Sequence, residues 1–238
     1  MAASLAGVSV VIPTYEERET VEPLLRRLDA ALAGRPREYI VVDDGSPDGT
    51  AEAVRRAAGA VAGVRLVENP GRGGIGAALR RGCDLAAHEF IASLDADLSF
   101  APEDLPRLLE RLDAGADLAL GGRHHDERAY EATGAGTRLK RALSRLGNAA
   151  AARLLGLPQG DLTANFRAIR REAWRRLDTR ETGNAMLIET ALQAARLGLR
   201  VEQVPVTFRE RRHGRSKLRP LRECCAVLRL LARAGSGR

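Results

Sequence analysis

In its first half, the chain alternates short apolar runs with amphipathic stretches of helical periodicity. Each apolar run is bounded by turn-forming residues, which is typical of buried strands. Since parallel strands need a helical crossover between them, this order predicts an α/β fold with a mostly parallel central sheet flanked by helices. The predicted strands are residues 8–12, 39–42, 64–67, 90–94 and 118–120, and the predicted helices are residues 17–33, 50–61, 76–87 and 102–112.

The pattern changes after Gly122, where residues 123–136 are polar, contain glycine and carry many charges. Such a stretch is typical of a loop over a binding site. A basic loop is predicted at residues 209–217. The other elements expected in this half are helices at residues 137–155, around Trp174, at 184–197 and at 218–234, and a strand at 201–208.

Two carboxylates, Asp95 and Asp97, follow the predicted strand at residues 90–94. In an open parallel sheet, ligands bind at the carboxyl ends of the strands. Two hard oxygen donors suit Mg²⁺ or Mn²⁺, which share their coordination sphere with substrate phosphates. The pair therefore predicts a metal–diphosphate site, the alternative being that it only caps the next helix.

Polar residues also follow the first two predicted strands. Asp43 and Asp44 come after residues 39–42, and the segment 13–17 follows residues 8–12. Each could be a helix cap or a turn on its own. Because helix caps do not need doubled acids at two strand ends, we expect these groups to form a nucleotide site together with Asp95 and Asp97.

Residues 71–76 match the G-x-G-x-x-G pattern between a strand and a helix, which raises dinucleotide binding as a competing interpretation. Against it, Asn69 and Pro70 break the strand, and the fingerprint belongs in the first βα turn of the fold, not the third. We expect instead that the glycines let the backbone and Arg72 approach a phosphate or base, or that they form a tight turn.

The net charge of +7 comes almost wholly from arginine and favours anionic partners: nucleic acid, an acidic membrane or phosphorylated substrates. Aromatic residues make up only 3% of the chain, which disfavours nucleic acid. The three cysteines form neither a metal-binding spacing nor a disulfide framework, so a reducing, cytoplasmic setting is expected. We find no signal peptide and no membrane-spanning stretch.

Several segments resemble the family 2 inverting glycosyltransferases. The resemblance rests on residues 10–17 (VVIPTYEE), 41–50 (VVDDGSPDGT) and 94–99 (LDADLS). Two further segments, 161–167 (DLTANFR) and Phe208-x-x-Arg211-x-x-Gly214-x-Ser216-Lys217, resemble the polyprenyl (dolichol) phosphate mannose synthase branch. The resemblance implies a GT-A (nucleotide-diphospho-sugar transferase) fold, with a catalytic domain at residues 1–217 and a basic amphipathic helix at 218–238 that is not a transmembrane domain.

The resemblance also implies roles for individual residues. The base and ribose of a nucleotide sugar would be held by Pro13, Tyr15, Glu17 and Asp44, with Arg72, Asp95 and Ala96 also at the donor. Asp95 and Asp97 would bind the metal, and Asp97, Arg123, Arg211 and Lys217 would form the catalytic set. The acceptor phosphate would contact Lys140, Arg141, Ser144 and Arg211.

The chain departs from the family pattern at two places. Ser99 stands where many relatives have a glutamine that binds the metal, so Ser99 or a water would take that position. Ala164 and Asn165 stand where relatives usually have a small residue and a glycine.

These implications predict transfer of a hexose, mannose from GDP-mannose, to a polyprenyl phosphate with inversion. A phosphate acceptor, largely dianionic at neutral pH because its second pKa is about 6, needs no general base. The enzyme would act peripherally at the cytoplasmic face of the membrane, alone or with a membrane-anchoring partner. The alternatives are UDP-glucose or another donor, a different glycan acceptor, a catalytically silent nucleotide-sugar-binding protein and, least favoured, a nucleic-acid-binding module.

Overall fold

The computed structural model describes residues 5–122, 130–131, 161–209 and 229–230. Its strands are β1 Val8–Thr14, β2 Arg37–Asp43, β3 Val64–Glu68, β4 Phe90–Leu94, β5 Leu118–Gly122, β6 Tyr130–Glu131, β7 Phe166–Arg170, β8 Val201–Pro205 and β9 Phe208–Arg209. Its helices are α1 Val21–Ala31, α2 Thr50–Ala58, α3 Ile75–Asp84, α4 Leu105–Asp113, α5 Arg171–Arg175 and α6 Ala185–Arg196, with a 3-10 turn at Pro102–Asp104.

Seven strands form one sheet in the order β3-β2-β1-β4-β7-β5-β8. All neighbouring pairs are parallel except those of β7, which runs antiparallel to both β4 and β5. The mostly parallel sheet is therefore confirmed, and the first five predicted strands are all present. Sequence reasoning missed β7, because its short run carries Arg167 and Arg170 and lacks a continuous apolar stretch.

The sheet separates two hydrophobic layers. In β1, Val8, Val10 and Ile12 face the layer beneath α1, α2 and α4, whereas Val11 faces the layer that contains α3, α5 and α6. All four side chains are fully buried. Burial on both faces explains why the central strands are apolar at successive positions rather than at alternate ones.

Several predicted boundaries differ from the structure by a few residues, and two differences have a clear structural basis. Helix α1 begins at Val21 rather than at residue 17, because residues 17–20 form a turn in which the Glu17 carbonyl accepts the Thr20 N–H at 3.1 Å. The strand predicted at 201–208 is divided into β8 and β9, and β9 leaves the large sheet to pair with β6.

Some predictions lie outside the described residues: the helix at 137–155, most of the helix at 218–234, and the boundary between residues 217 and 218. Residues 229–230 are helical. No helix within the described part of the chain is long and apolar enough to cross a membrane.

Candidate functional site

The carboxyl ends of β2, β1 and β4 lie side by side at one edge of the sheet, because these three parallel strands are neighbours. The polar segments that follow them therefore meet, as the sequence predicts. In the register of β1 and β2, Thr14 lies opposite Asp43. This edge is where a doubly wound sheet binds ligands.

The two acids after β2 have different partners. Asp43 is buried and accepts hydrogen bonds from the Thr14 hydroxyl at 3.0 Å and the Ser46 N–H at 2.9 Å. Asp44 accepts the Asn69 side-chain amide and the Gly74 N–H, both at 2.7 Å. Asp43 thus stabilises its own turn, while Asp44 connects the loop after β2 to the glycine-rich segment.

The loop after β1 is held against the loop after β2. Glu16 adopts a positive φ of 56°, which is rare for a residue with a side chain, and its N–H donates to the Ser46 hydroxyl at 2.9 Å. The next N–H, of Glu17, donates to the Thr50 hydroxyl at 2.9 Å. These bonds stabilise the sharp turn that begins at Tyr15.

The Arg72 guanidinium lies over the Tyr15 ring, with its central carbon 4.2 Å from the ring centroid. This is a cation–π contact between the glycine-rich segment and the loop after β1. Together with the bond from Gly74 to Asp44, it brings Tyr15, Arg72 and Asp44 into one cluster. Pro13, at the end of β1, is half-buried. Four of the predicted donor residues therefore share this edge of the sheet.

The segment after β4 has an unusual backbone. Leu98 adopts a positive φ of 59°, and the Ser99 N–H turns back to donate to the Asp97 carboxylate at 2.9 Å. Asp97 is buried and Asp95 is half-buried. The Ala96 side chain lies in the hydrophobic layer beneath, so a donor molecule could meet only the backbone of this residue.

The oxygen ligands in this segment suit a divalent cation that also binds a phosphate of the substrate. The described residues contain no group of three or more histidine, cysteine, aspartate or glutamate side chains able to hold a metal by themselves. Mg²⁺ and related ions are commonly held by one or two carboxylates together with substrate phosphates. Asp95 and Asp97 would supply such carboxylates, and the role of Ser99 stays a prediction.

The start of the predicted basic loop contacts the acidic segment. The Arg209 N–H donates to the Ser99 carbonyl at 2.8 Å. The Phe100 ring packs against Phe166 and Phe208, each with a centroid distance of 5.1 Å. Arg209, the first residue of the predicted basic loop, therefore lies against the segment that contains Asp97 and Ser99. The basic and polar residues predicted to bind phosphates lie outside the described residues: Arg123, Lys140, Arg141, Ser144, Arg211 and Lys217.

The glycine-rich segment is explained by packing against protein backbone. The Thr182 carbonyl accepts the N–H groups of Gly76 at 2.7 Å and Ala77 at 3.3 Å, so the first turn of α3 already has an oxygen partner. A Cβ atom on Gly76 would lie 2.7 Å from the Glu181 carbonyl. At Gly76 the lack of a side chain is therefore required by packing against the protein's own backbone, while the expected approach of Arg72 and the other glycines to a phosphate or base stays a prediction.

This packing gives a stability prediction. Gly76→Ala should lower the free energy of unfolding by about 1–3 kcal/mol, because the added methyl group overlaps backbone carbonyls that cannot easily move. Gly71→Ala is the matched control, since a Cβ there meets no described atom within 4 Å. Urea titrations followed by circular dichroism measure both variants. Equal midpoints for the two would contradict the packing explanation.

Two polar residues of the site escaped prediction, although their segment was part of the resemblance. Asn165 is buried and its amide donates to Asp95 at 2.9 Å. Arg167 is buried, and burial lowers its pKa to about 10 while the nearby Asp161 carboxylate opposes that shift. A signal for Asn165 was present in its departure from the family glycine, but its contact depends on the unpredicted β7.

Comparison with known proteins gives consistent matches. The model of the family described as Glycosyl transferase family 2 matches residues 9–178. A polyprenol monophosphomannose synthase from Mycolicibacterium smegmatis is 38% identical over 88% of this chain and 80% of its own length. A dolichol-phosphate mannosyltransferase from Pyrococcus furiosus is 32% identical over 89% of this chain but only 59% of its own length.

Solved structures agree with the sequence matches. The glucosyl-3-phosphoglycerate synthase from Mycobacterium tuberculosis, in complex with Mn²⁺, UDP and glucosyl-3-phosphoglycerate, superposes with a TM-score of 0.73. That likeness covers 97% of this chain and 80% of the other, at 25% sequence identity. The same enzyme has also been solved with Mg²⁺ and UDP.

Proposed function

Since the chain belongs to glycosyl transferase family 2 and is a glycosyltransferase with the GT-A fold, we propose that it transfers mannose from GDP-mannose to a polyprenyl phosphate with inversion. One observation carries the choice of acceptor. Three relatives are 32–38% identical over 88–89% of this chain. Their names all combine mannose with a lipid, which is polyprenol, dolichol phosphate or undecaprenyl phosphate.

The nucleotide would bind where the loops after β1 and β2 meet. Tyr15, Glu17 and Asp44 would hold its base and ribose, since their loops are tied together by the bonds from Glu16 and Glu17 to Ser46 and Thr50. Arg72, which lies over Tyr15, offers a cation to the same ligand. Loops that are already held in place lower the entropy cost of binding a ligand between them.

The diphosphate would lie over the acidic segment after β4. Asp95 and Asp97 would hold Mg²⁺ or Mn²⁺, which when bound neutralises the charge that develops on the leaving nucleoside diphosphate. Ser99 supports Asp97 through its N–H bond at 2.9 Å. The positive φ of Leu98 turns the backbone so that this bond can form.

The acceptor phosphate would be oriented by cations. Arg211, Lys217 and Arg123 are proposed to surround the donor and acceptor phosphates, with Lys140, Arg141 and Ser144 also at the acceptor. The contact between Arg209 and Ser99 supports this, because it starts the basic loop beside the metal-binding segment. Guanidinium groups bind phosphate in a bidentate manner, which orients the attacking oxygen and offsets the repulsion between two anions.

The acceptor lipid implies a membrane surface as the working place of the enzyme. We propose peripheral attachment at the cytoplasmic face, aided by the basic amphipathic stretch at residues 218–238 or by a membrane-anchoring partner protein.

A second function is favoured by the solved structures. The glucosyl-3-phosphoglycerate synthase was crystallised with UDP-glucose and phosphoglyceric acid, a small soluble acceptor that also carries a phosphate. Transfer of glucose from UDP-glucose to such an acceptor would use the same edge of the sheet. A further relative, an undecaprenyl-phosphate 4-deoxy-4-formamido-L-arabinose transferase from Klebsiella pneumoniae, is 33% identical over 88% of this chain and 62% of its own length, and its name gives a different donor sugar.

A donor panel tests the proposal. Purified protein is incubated with Mn²⁺, a short polyprenyl phosphate and, in separate reactions, GDP-mannose, UDP-glucose or UDP-N-acetylglucosamine. We expect sugar transfer to the lipid from GDP-mannose, and its complete loss when EDTA replaces the metal. Transfer from a UDP-sugar alone would reject GDP-mannose as the donor. Transfer that persists in EDTA would reject the role given to Asp95 and Asp97.

A further inference from the structure

Asn165 connects the metal-binding segment to the antiparallel strand beside it. In the register of β4 and β7, Leu94 lies opposite Phe166, so Asn165 comes opposite Asp95 one step further along. Its side-chain amide donates to the Asp95 carboxylate oxygen Oδ1 at 2.9 Å. Asn165 itself is only 2% exposed. The Asn165 end of the bond is thus shielded from water, while the half-buried Asp95 lies closer to the surface.

The orientation of the Asn165 amide is fixed by two neighbours. Its carbonyl oxygen accepts the Ser93 hydroxyl at 2.8 Å, and its NH₂ group faces Asp95. The opposite orientation would place two oxygen acceptors against each other, because an ionised carboxylate can only accept. Ser93, Asn165 and Asp95 are therefore connected by a chain of two hydrogen bonds that ends on one oxygen of Asp95.

Arg167 binds the backbone carbonyls just before Asn165 and holds this segment in place. The guanidinium donates to the Ala164 carbonyl from Nη2 at 2.7 Å and from Nε at 3.3 Å, and to the Leu162 carbonyl at 3.2 Å. A further bond at 2.8 Å reaches the Leu187 carbonyl in α6. The residue just before Asn165 is therefore fixed both to β7 and to α6, and the amide has little freedom to move away from Asp95.

We infer that Asn165 is a positioning residue for the divalent metal: it fixes the rotation of the Asp95 carboxylate and thereby raises metal affinity. This inference rests on the proposed function, in which Asp95 is a metal ligand. Hydrogen-bond partners of metal-binding carboxylates are worth about 10–100-fold in metal affinity.

The test measures Mn²⁺ binding rather than turnover. Free Mn²⁺ is followed by electron paramagnetic resonance during titration of the protein in saturating GDP or UDP. Asn165→Ala and the similarly sized Asn165→Leu should both weaken Mn²⁺ binding by about 10–100-fold. Ser93→Ala, which removes only the anchor of the amide, should weaken it less. Nucleotide affinity in EDTA should stay at the wild-type value in all three variants.

Ser9→Ala is the matched control, since it also removes the side-chain bond of a buried serine, from Ser9 to the half-buried Glu38 at 2.6 Å, but at the amino-terminal end of β1, away from the acidic segment. It should bind Mn²⁺ like the wild type. If both Asn165 variants titrate like the wild type, the inference is wrong and the proposed function stands. If the wild type itself binds no Mn²⁺ with either nucleotide, the inference about Asn165 and the proposed metal-dependent function are both wrong. Should the Asn165 variants not fold, wild-type Mn²⁺ affinity in Ser93→Ala overturns the inference.

Discussion

Asp97→Ala should lower sugar transfer by about 10²–10³-fold in kcat while the protein stays folded. The proposed role of Asp97 is to hold the cation that stabilises charge on the leaving diphosphate, and no neighbouring carboxylate of the described chain offers a third acid to replace it. The hydrogen bond from the Ser99 N–H to Asp97, which this variant loses, is worth about 1 kcal/mol of stability. Initial rates at saturating substrates, with circular dichroism as the folding check, measure both effects.

Asp178→Ala is the matched control for this variant. The Asp178 side chain is 75% exposed and pairs with the exposed Arg180, in the segment before α6. It should transfer sugar at the wild-type rate. Near-normal turnover by Asp97→Ala would remove Asp97 from the metal site, whereas equal losses in both variants would point to a general effect of removing acidic residues.

Arg167→Leu should lower the free energy of unfolding by about 3–5 kcal/mol. The substitution leaves the carbonyls of Leu162, Ala164 and Leu187 without their guanidinium donor. It also leaves Asp161, which is only 1% exposed, without the nearby positive charge that acts on it in the folded protein. Removing one member of a buried charged group is costly because the other member stays desolvated. Urea unfolding followed by circular dichroism measures the loss.

Arg175→Leu, at an exposed position of α5, is the comparison for Arg167→Leu. An exposed arginine should change stability by no more than about 0.5 kcal/mol. A loss for Arg167→Leu that falls within that range would mean that the three carbonyls and Asp161 find other partners, and the account of this buried network would be wrong.

The alternation of strands and helices in the first half was predictable because local periodicity and burial agree there. Each of the first five strands is a short apolar run, and such runs are the primary signal of buried strands. β7 could not be found in this way, because the charged Arg167 interrupts its apolar pattern. Arg167 can nevertheless be buried in the strand, because its guanidinium makes four hydrogen bonds to carbonyl oxygens.

The acids of the site were predictable for a different reason. Asp44, Asp95 and Asp97 follow strands directly, so topology alone places them at one edge of the sheet. The partners of these acids were not predictable. Asn165 reaches Asp95 only through the antiparallel pairing of β4 and β7, and Gly76 meets the Thr182 carbonyl across more than a hundred residues of chain. Long-range contacts of this kind leave no periodic signal in sequence.

The acceptor decides between the two enzymatic functions that the matches allow. Wild-type protein is incubated with Mn²⁺, a labelled sugar donor, and equal amounts of a short polyprenyl phosphate and 3-phosphoglycerate in one reaction, once with GDP-mannose and once with UDP-glucose. Mass spectrometry of the organic and aqueous phases identifies the labelled product. The account predicts label on the polyprenyl phosphate, from GDP-mannose. Label on phosphoglycerate, or only free sugar in the aqueous phase, would contradict it.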